Sequence, residues 1–355
     1  MVKLPYRFFF LLFAFANMIV GLLAGLGRLG WAVPVPAAYV HHGAIMVGGF
    51  LGSLIALEKI IPLKKPLFFT GPVLSASSIL VFTTGDFQEA VFMLIFAGVI
   101  FILVYVAYLR QHYSLYLVIA LVGAGCWTVG NVLLLWKKFY PLAFPWWMGF
   151  LLFTIVSERL ELSKFLPVSR QTKHLLLALL IFFLVGIIMP FHSVGTYVSG
   201  LALVCISLWL LRNDVIRLTI RKQGVVRFTA TALLIGYFCL LLQGIFLITL
   251  RDSPLGYDIT LHTFFVGFVF SMIFAHGPII LPGVLGLSVK PYSPLFYVPL
   301  IGLFFSLAMR IAANVTLIDF SYRGISGWVT AGSILLYFFI LVATTIKAAR
   351  HATSA

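Results

Sequence analysis

Two histidines, His42 and His262, are the residues of this chain whose type and position best suit a chemical site. Each lies in a strongly apolar stretch, where an imidazole is rare and a functional role is the default hypothesis. A neutral imidazole binds iron or copper through one ring nitrogen, and burying it costs far less free energy than burying a charge. The two side chains could therefore bind one metal centre, with His41 as the alternative ligand beside His42.

A further histidine in an apolar stretch, His276, follows His262 by fourteen residues. Fourteen residues of α-helix span about 21 Å, so these two side chains cannot share a metal ion. His276 could instead belong to a second site or a proton path. The structural alternative is an imidazole that binds the backbone carbonyls left without an amide donor by Pro278 and Pro282. The other histidines are predicted to lie at helix ends or in the C-terminal tail: His112, His174, His192 and His351.

The composition places these histidines in a membrane. Hydrophobic residues make up 62% of the 355 residues and charged residues only 9%, which lies far outside the range of soluble globular domains. Apolar runs recur from end to end, and no stretch is left that could form a soluble domain. The sequence therefore predicts an all-α integral membrane protein, with residues 1–355 as one polytopic domain.

Twelve membrane-spanning helices position the candidate residues, since apolar runs of about 17 to 25 residues are long enough to cross a bilayer. Eleven or thirteen remain open, because two of the runs are short and one joint is tight. The predicted helices are residues 8–27, 38–57, 67–84, 87–109, 113–136, 142–157, 174–191, 195–211, 228–250, 257–280, 293–315 and 326–347.

The positive charges predict the orientation of these helices, because cationic loops stay on the cytoplasmic side during insertion. With both termini cytoplasmic, most of the 24 Lys and Arg residues fall on the inner side. The expected location is the inner membrane of a prokaryote. Basic loops beside anionic lipid also explain the net charge of +15 without a nucleic-acid partner. The exceptions, on the outer side, are Arg28, Lys137, Lys138, Arg251, Arg310 and Arg323.

This orientation places His42 and His262 at matching depths, a few residues below the outer surface, on helices that run in the same direction. Two imidazoles on facing helices would suit the axial positions of a heme b. Arg28, Arg251 and Arg323 are candidates to pair with its propionates on the outer side. Copper bound by the same histidines remains open.

Other residue patterns favour structural roles. Cys126, Cys205 and Cys239 lie in three separate predicted helices without metal-ligand or disulfide spacing. No phosphate-binding loop, GxSxG or HExxH motif is present. The small residues of the second helix favour close helix packing, although they would also admit a flat macrocycle; they are Gly43, Gly48, Gly49 and Gly52.

The two histidine segments resemble those of known membrane heme proteins. The run from His42 to Met46, HGAIM, resembles the second-helix histidine motif of heme-copper oxidase catalytic subunits, and HTFFVG from His262 resembles their tenth-helix segment. HGAIMVGGFLG and HTFFVGFVFSMIFA are more similar still to the segments of NnrS, a twelve-span heme protein family linked to nitric oxide stress. The resemblance implies an oxidase-like helix bundle with heme bound by His42 and His262, covering about a tenth of the chain in specific residues.

The departures limit what this resemblance implies. The sixth and seventh helices carry no intramembrane histidine, and the tenth lacks a close histidine pair, so a complete oxygen-reducing centre is not expected. The chain is also somewhat short for NnrS. What remains is a role in nitric oxide response or electron transfer, with heme-dependent redox activity left open. The implied partners are nitric oxide or another diatomic gas, and a redox partner or quinone.

A transporter or channel is the alternative from another functional class. In that interpretation, His42, His262, Asn131 and Gln243 line a polar path for substrate or protons through the bundle. The matching depth of the two histidines argues against a route across the membrane, and no inverted repeat is evident. A third interpretation, an assembly subunit without a cofactor, predicts that the histidines pack apart.

Overall fold

The fold is entirely helical within the residues that the computed structural model describes, 4–162, 168–316 and 320–353, where no strand occurs. Within these described ranges, twelve helices are long and apolar enough to cross a membrane, which confirms the predicted class and helix number. We name them α1 (Arg7–Arg28), α2 (Pro36–Leu63), α3 (Pro66–Thr84), α4 (Phe87–Gln111), α5 (Leu115–Lys137), α6 (Tyr140–Leu162), α7 (Arg170–Ile188), α8 (Phe191–Asn213), α9 (Gly224–Thr249), α10 (Gly256–Leu285), α11 (Pro294–Thr316) and α12 (Ser321–Ala352).

Several helix ends extend beyond the predicted ones, whereas the seventh helix ends at Ile188, three residues before the predicted end. The second helix ends at Leu63, whereas the apolar run predicts an end at residue 57. The seventh helix begins at Arg170, whereas the predicted start is residue 174. Hydropathy marks the part of a helix that lipid can cover. Helical hydrogen bonding continues past that part, because long basic side chains reach water from the helix end.

The chain divides into two compact units. The first comprises Met1–Ser157 and Val284–Gly286, and the second comprises Glu158–Gly283 and Leu287–Ala355. In the first unit, α2 packs against α1 and α3, and the following helices pack in chain order as far as α5. In the second unit, each helix from α7 to α12 packs against the next one in the chain. The single polytopic domain remains a prediction.

The small residues of α2 serve close packing within the first unit. A Cβ atom on Gly48 would lie 2.6 Å from the Leu94 side chain, and one on Gly49 would overlap the amide of Asn17. At Gly52 the Trp127 indole occupies the equivalent space. The packing interpretation of this stripe is therefore supported, since side chains of three other helices fill the space that glycine leaves.

Three of the twelve helices are more buried than the rest. The buried share of the apolar stretch is 72% in α2, 78% in α6 and 67% in α10, whereas no other helix exceeds 56%. A helix that exposes so little surface to lipid can carry polar side chains with less penalty. Both candidate ligands, His42 and His262, lie on helices of this buried group.

The helices α2 and α10 share a second property, a π-helical segment in their first half. These segments are Ile45–Gly52 in α2 and Thr263–Val269 in α10. A π-helix widens the backbone, is rare, and is found frequently at functional sites. One begins three residues after His42 and the other directly after His262.

Pro278 interrupts the hydrogen bonding of α10, and a tyrosine compensates for it. A proline has no amide hydrogen, so the carbonyl of Phe274, four residues earlier, loses its helical donor. The Tyr337 hydroxyl of α12 donates to that carbonyl over 2.7 Å, and its ring stacks on Phe274 with centroids 3.8 Å apart. Gly277 provides the space for this hydroxyl.

We expect Tyr337→Phe to lower the free energy of unfolding by about 1 to 3 kcal/mol, because it leaves the buried Phe274 carbonyl without a donor. In a Pro278→Ala background the restored amide can bond to the same carbonyl, so the loss should be smaller. Unfolding of the four proteins of this double-mutant cycle in mixed detergent measures the coupling. Equal losses in both backgrounds would contradict this account of the tyrosine.

Candidate functional site

His42 is held against α1 by its Nδ1 atom, which lies 2.6 Å from the carbonyl oxygen of Gly21. A carbonyl can only accept a hydrogen bond, so Nδ1 carries the proton and the lone pair of the neutral ring is on Nε2. The ring packs on Gly25, where an added Cβ would lie 2.8 Å from His42 Cε1. One turn along, Gly21 likewise admits the thioether of Met46.

We expect Gly25→Ala to move the His42 imidazole and to destabilise the first unit by about 1 to 3 kcal/mol, because the new methyl group overlaps the ring. The matched control is Gly125→Ala, since a Cβ at that helical position meets no atom within 4 Å. There, the better helix propensity of alanine should leave stability unchanged or slightly higher. The measurements are unfolding in detergent and the histidine NMR signals of both variants. Stability should fall and the His42 signal should change in Gly25→Ala and not in Gly125→Ala.

His41 occupies a different environment from its neighbour. It ends a 3₁₀ turn, and its Nδ1 lies 2.9 Å from the Tyr140 hydroxyl. Its ring stacks on Phe87, with centroids 5.3 Å apart, and also contacts Phe82. A hydroxyl can donate or accept, so this contact does not fix the tautomer of His41 as the carbonyl fixes that of His42.

His262 has the same arrangement as His42 within the second unit. Its Nδ1 lies 2.8 Å from the carbonyl oxygen of Asp258, one helical turn earlier, so the lone pair is again on Nε2. A carboxylate oxygen of Asp258 lies 3.3 Å from the same Nδ1 atom. His262 therefore faces both the backbone oxygen and the negative charge of one residue.

Side chains of α11 donate hydrogen bonds to the Asp258 carboxylate. Arg310 donates through Nε and Nη2 over 2.9 and 2.8 Å, one bond to each carboxylate oxygen, and the Asn314 amide donates over 2.6 Å. Arg323 of α12 lies 3.7 Å from the same group. We call Asp258, Arg310, Asn314 and Arg323 the Asp258 cluster.

Arg323 is the one member of this cluster that the sequence predicts as a site residue, as a partner of a heme propionate. The other three are not among the site residues predicted from the sequence. Asp258 precedes His262 by four residues, the spacing that puts both on one face of a helix. Arg310 and Asn314 share the same spacing on α11. The scarcity of acidic residues, nine in the whole chain, was the available signal.

The other two proposed propionate partners are not members of the Asp258 cluster. Arg28 is exposed at the last residue of α1. Arg251 lies 3.5 Å from the carboxylate of its neighbour Asp252 and donates to the Ser193 carbonyl over 3.4 Å. Neither contact involves the Asp258 cluster.

His276, which is partly buried, belongs to a second polar group of the second unit. Arg159 donates to its Nε2 over 2.6 Å, and its Nδ1 lies 2.6 Å from the Met272 carbonyl. The neighbouring Tyr237 hydroxyl, which interacts with Arg159, donates to Asp214 over 2.9 Å. The imidazole thus bonds to a carbonyl of its own helix, whereas the carbonyl freed by Pro278 is taken by a tyrosine. The structural alternative, in which His276 binds a carbonyl freed by a proline, is therefore not found at Pro278, and a role of His276 in a second site or proton path stays a prediction.

Two polar residues of the transport hypothesis, Asn131 and Gln243, are buried. Asn131 donates to the Leu94 carbonyl over 3.4 Å and accepts from the Trp147 indole over 3.0 Å. Gln243 is fully buried in α9. Asn131 therefore has a structural role that accounts for its position. The three cysteines lie in three different helices, as predicted.

Among the residues that the structure describes, no group of three or more His, Cys, Asp or Glu side chains could hold a metal ion. No curated protein matches this sequence, so the likeness to NnrS and to heme-copper oxidases stays a prediction. One family does match: its sequence model, described as "Domain of unknown function (DUF8744)", covers residues 7–347. The chain therefore belongs to the DUF8744 family.

Proposed function

We propose that this protein is a membrane-embedded heme protein in which His42 and His262 supply imidazole ligands to the iron. The observation that carries the proposal is the arrangement common to both residues. Each presents its Nδ1 to a backbone carbonyl, over 2.6 and 2.8 Å. Each is also followed, within three residues, by a π-helical segment.

The chemistry of these donors fits a heme iron. An imidazole binds iron through a nitrogen lone pair, and a hydrogen bond from the other nitrogen orients the ring and raises its basicity. In both residues the carbonyl contact places the lone pair on Nε2. His42 fits better than His41 for this reason. A heme needs only one or two ligands from the protein, because the porphyrin supplies four nitrogen atoms.

The charged residues contribute to the same proposal. Arg323 and Arg310, in the Asp258 cluster, place two guanidinium groups close to His262, and a carboxylate-bearing cofactor would find favourable potential there. The proposed orientation puts this end of α10 on the outer side of the membrane, following the positive-inside rule. Arg28 and Arg251 remain further candidates for the propionates.

A bound heme would supply reversible one-electron chemistry and, if the protein leaves the iron incompletely coordinated, binding of a diatomic gas. The proposed role follows the resemblance to NnrS: response to nitric oxide, or electron transfer to a redox partner or quinone. What this chain itself provides is two oriented imidazoles on buried helices. With both bound to one iron, gas binding would be slow; with one bound, nitric oxide and carbon monoxide would bind readily.

The test is the reduced-minus-oxidised spectrum of the purified protein, expressed with ample heme supply, together with a pyridine hemochrome assay and a metal analysis. We expect a b-type spectrum and a stoichiometric amount of heme per chain. Carbon monoxide and nitric oxide are then added to count open iron positions. A preparation that contains copper, or no metal at all, would overturn the heme proposal.

A further inference from the structure

We infer that Asp258 sets the electron-donating strength of the His262 imidazole, and so acts as the residue that tunes the iron bound there. This inference rests on the proposed function, because it concerns the same histidine. It goes further by assigning a role to a carboxylate that is not itself a ligand.

Two oxygen atoms of Asp258 lie near one hydrogen-bond donor, the Nδ1 atom of His262. His262 Nδ1 lies 2.8 Å from the backbone oxygen and 3.3 Å from carboxylate Oδ1. A carboxylate beside the Nδ1 proton draws that proton away from the ring, and the ring then donates more electron density through Nε2. A stronger donor stabilises the higher oxidation state of a bound metal and lowers its reduction potential.

The carboxylate is fixed in this position by donors other than the histidine. Arg310 binds both of its oxygens, and Asn314 binds Oδ2. Arg310 is 8% exposed and Asn314 1% exposed, so the donors are shielded from solvent. Bidentate contacts of this kind hold a carboxylate in one orientation. The negative charge therefore stays near His262 while two guanidinium groups balance it.

The first unit offers an internal comparison. His42 also donates from Nδ1, but to the carbonyl of Gly21, which is neutral. The two imidazoles thus have the same tautomer and both face a backbone carbonyl, and the Nδ1 atom of His262 lies beside a carboxylate as well. We expect the carboxylate to make His262 the stronger donor, and removal of the Asp258 charge to affect the iron through His262 alone.

The test compares the heme midpoint potential of the wild type with that of Asp258→Asn. We expect the potential to rise by an amount that corresponds to at least a tenfold change in the reduction equilibrium, or about 59 mV for one electron. Because Asp258→Asn also leaves Arg310 without its counter-ion, the double variant Asp258→Asn/Arg310→Gln removes both charges. A rise that persists there arises from the ligand hydrogen bond; a return to the wild-type value would overturn the inference.

The matched control is Asp252→Asn. Asp252 lies six residues before Asp258 with its side chain 87% exposed, and its substitution should leave the potential unchanged. An equal rise in this control would also overturn the inference, because it would show a general charge effect.

A second measurement does not require heme. In ¹⁵N-histidine NMR of the heme-free protein, assigned by difference from His262→Gln, we expect His262 as the Nδ1-protonated tautomer with a strongly downfield Nδ1 proton. That proton should move upfield in Asp258→Asn. The Nε2-protonated tautomer in the wild type would refute the inference even if heme is bound. If the protein takes up no heme, the proposed function fails, and this NMR result still decides whether Asp258 acts on His262.

Discussion

His262→Ala and His42→Ala are each expected to lower the heme content of the purified protein at least tenfold. Even a change to a residue that merely orients a metal ligand typically lowers metal affinity by about 10- to 100-fold, and removing the ligand itself should do more. The measurement is heme per chain by pyridine hemochrome, with protein quantified independently. A loss of only half of the heme in each variant would show that each histidine binds its own heme, and would contradict the shared site.

Two controls separate ligand loss from misfolding. His112→Ala and His174→Ala change histidines that are exposed at helix ends, and both should retain wild-type heme. In His262→Gly, free imidazole added during heme reconstitution can occupy the space of the missing ring and should restore part of the spectrum. Full heme content in both His262→Ala and His42→Ala would contradict the ligand assignment.

The transmembrane architecture was predictable because lipid imposes a simple constraint. A spanning helix must satisfy its own backbone hydrogen bonds and cover about 30 Å with apolar side chains. All twelve helices meet this condition and could be read from hydropathy alone. The helix ends were less predictable, because beyond the apolar core the backbone remains helical wherever side chains can reach water, as at Arg170 and Lys59.

The local structure around the histidines could not be predicted from the sequence. A π-helical segment follows both His42 and His262. Its formation depends on how each helix packs against its neighbours, and the glycine content of the helix does not predict it. Both Nδ1 atoms face a backbone carbonyl, but the two carbonyls lie at different distances along the chain. Asp258 could have been suspected from its four-residue spacing to His262, whereas the Gly21 carbonyl lies 21 residues before His42 and carries no side-chain signal.

The partners of Asp258 illustrate the same limit. Arg310 is 52 residues away in the chain, and its charge alone predicted only that it lies in an outer loop or helix end. The structure instead buries it against a carboxylate. A basic residue near a helix end can face water, lipid headgroups or a buried acid, and only packing selects among these.

Arg310→Leu is expected to lower the free energy of unfolding by about 3 to 5 kcal/mol, the largest stability loss we predict. Arg310 is 8% exposed and makes two short bonds to Asp258, so its removal leaves a largely buried carboxylate without its main counter-ion. Reversible unfolding in mixed detergent micelles provides the measurement. Asn314 and Arg323 remain near the carboxylate and should retain part of the stabilisation.

The matched control is Arg251→Leu, which removes a pair at 3.5 Å whose acid, Asp252, is 87% exposed. An exposed pair contributes about 0 to 1 kcal/mol, so this change should be nearly neutral. The double variant Arg310→Leu/Asp258→Leu removes both buried charges and should recover much of the loss, because the penalty arises mainly from the unpaired carboxylate. If the double variant is as unstable as Arg310→Leu, the arginine contributes through its packing, and the electrostatic account of the Asp258 cluster is wrong.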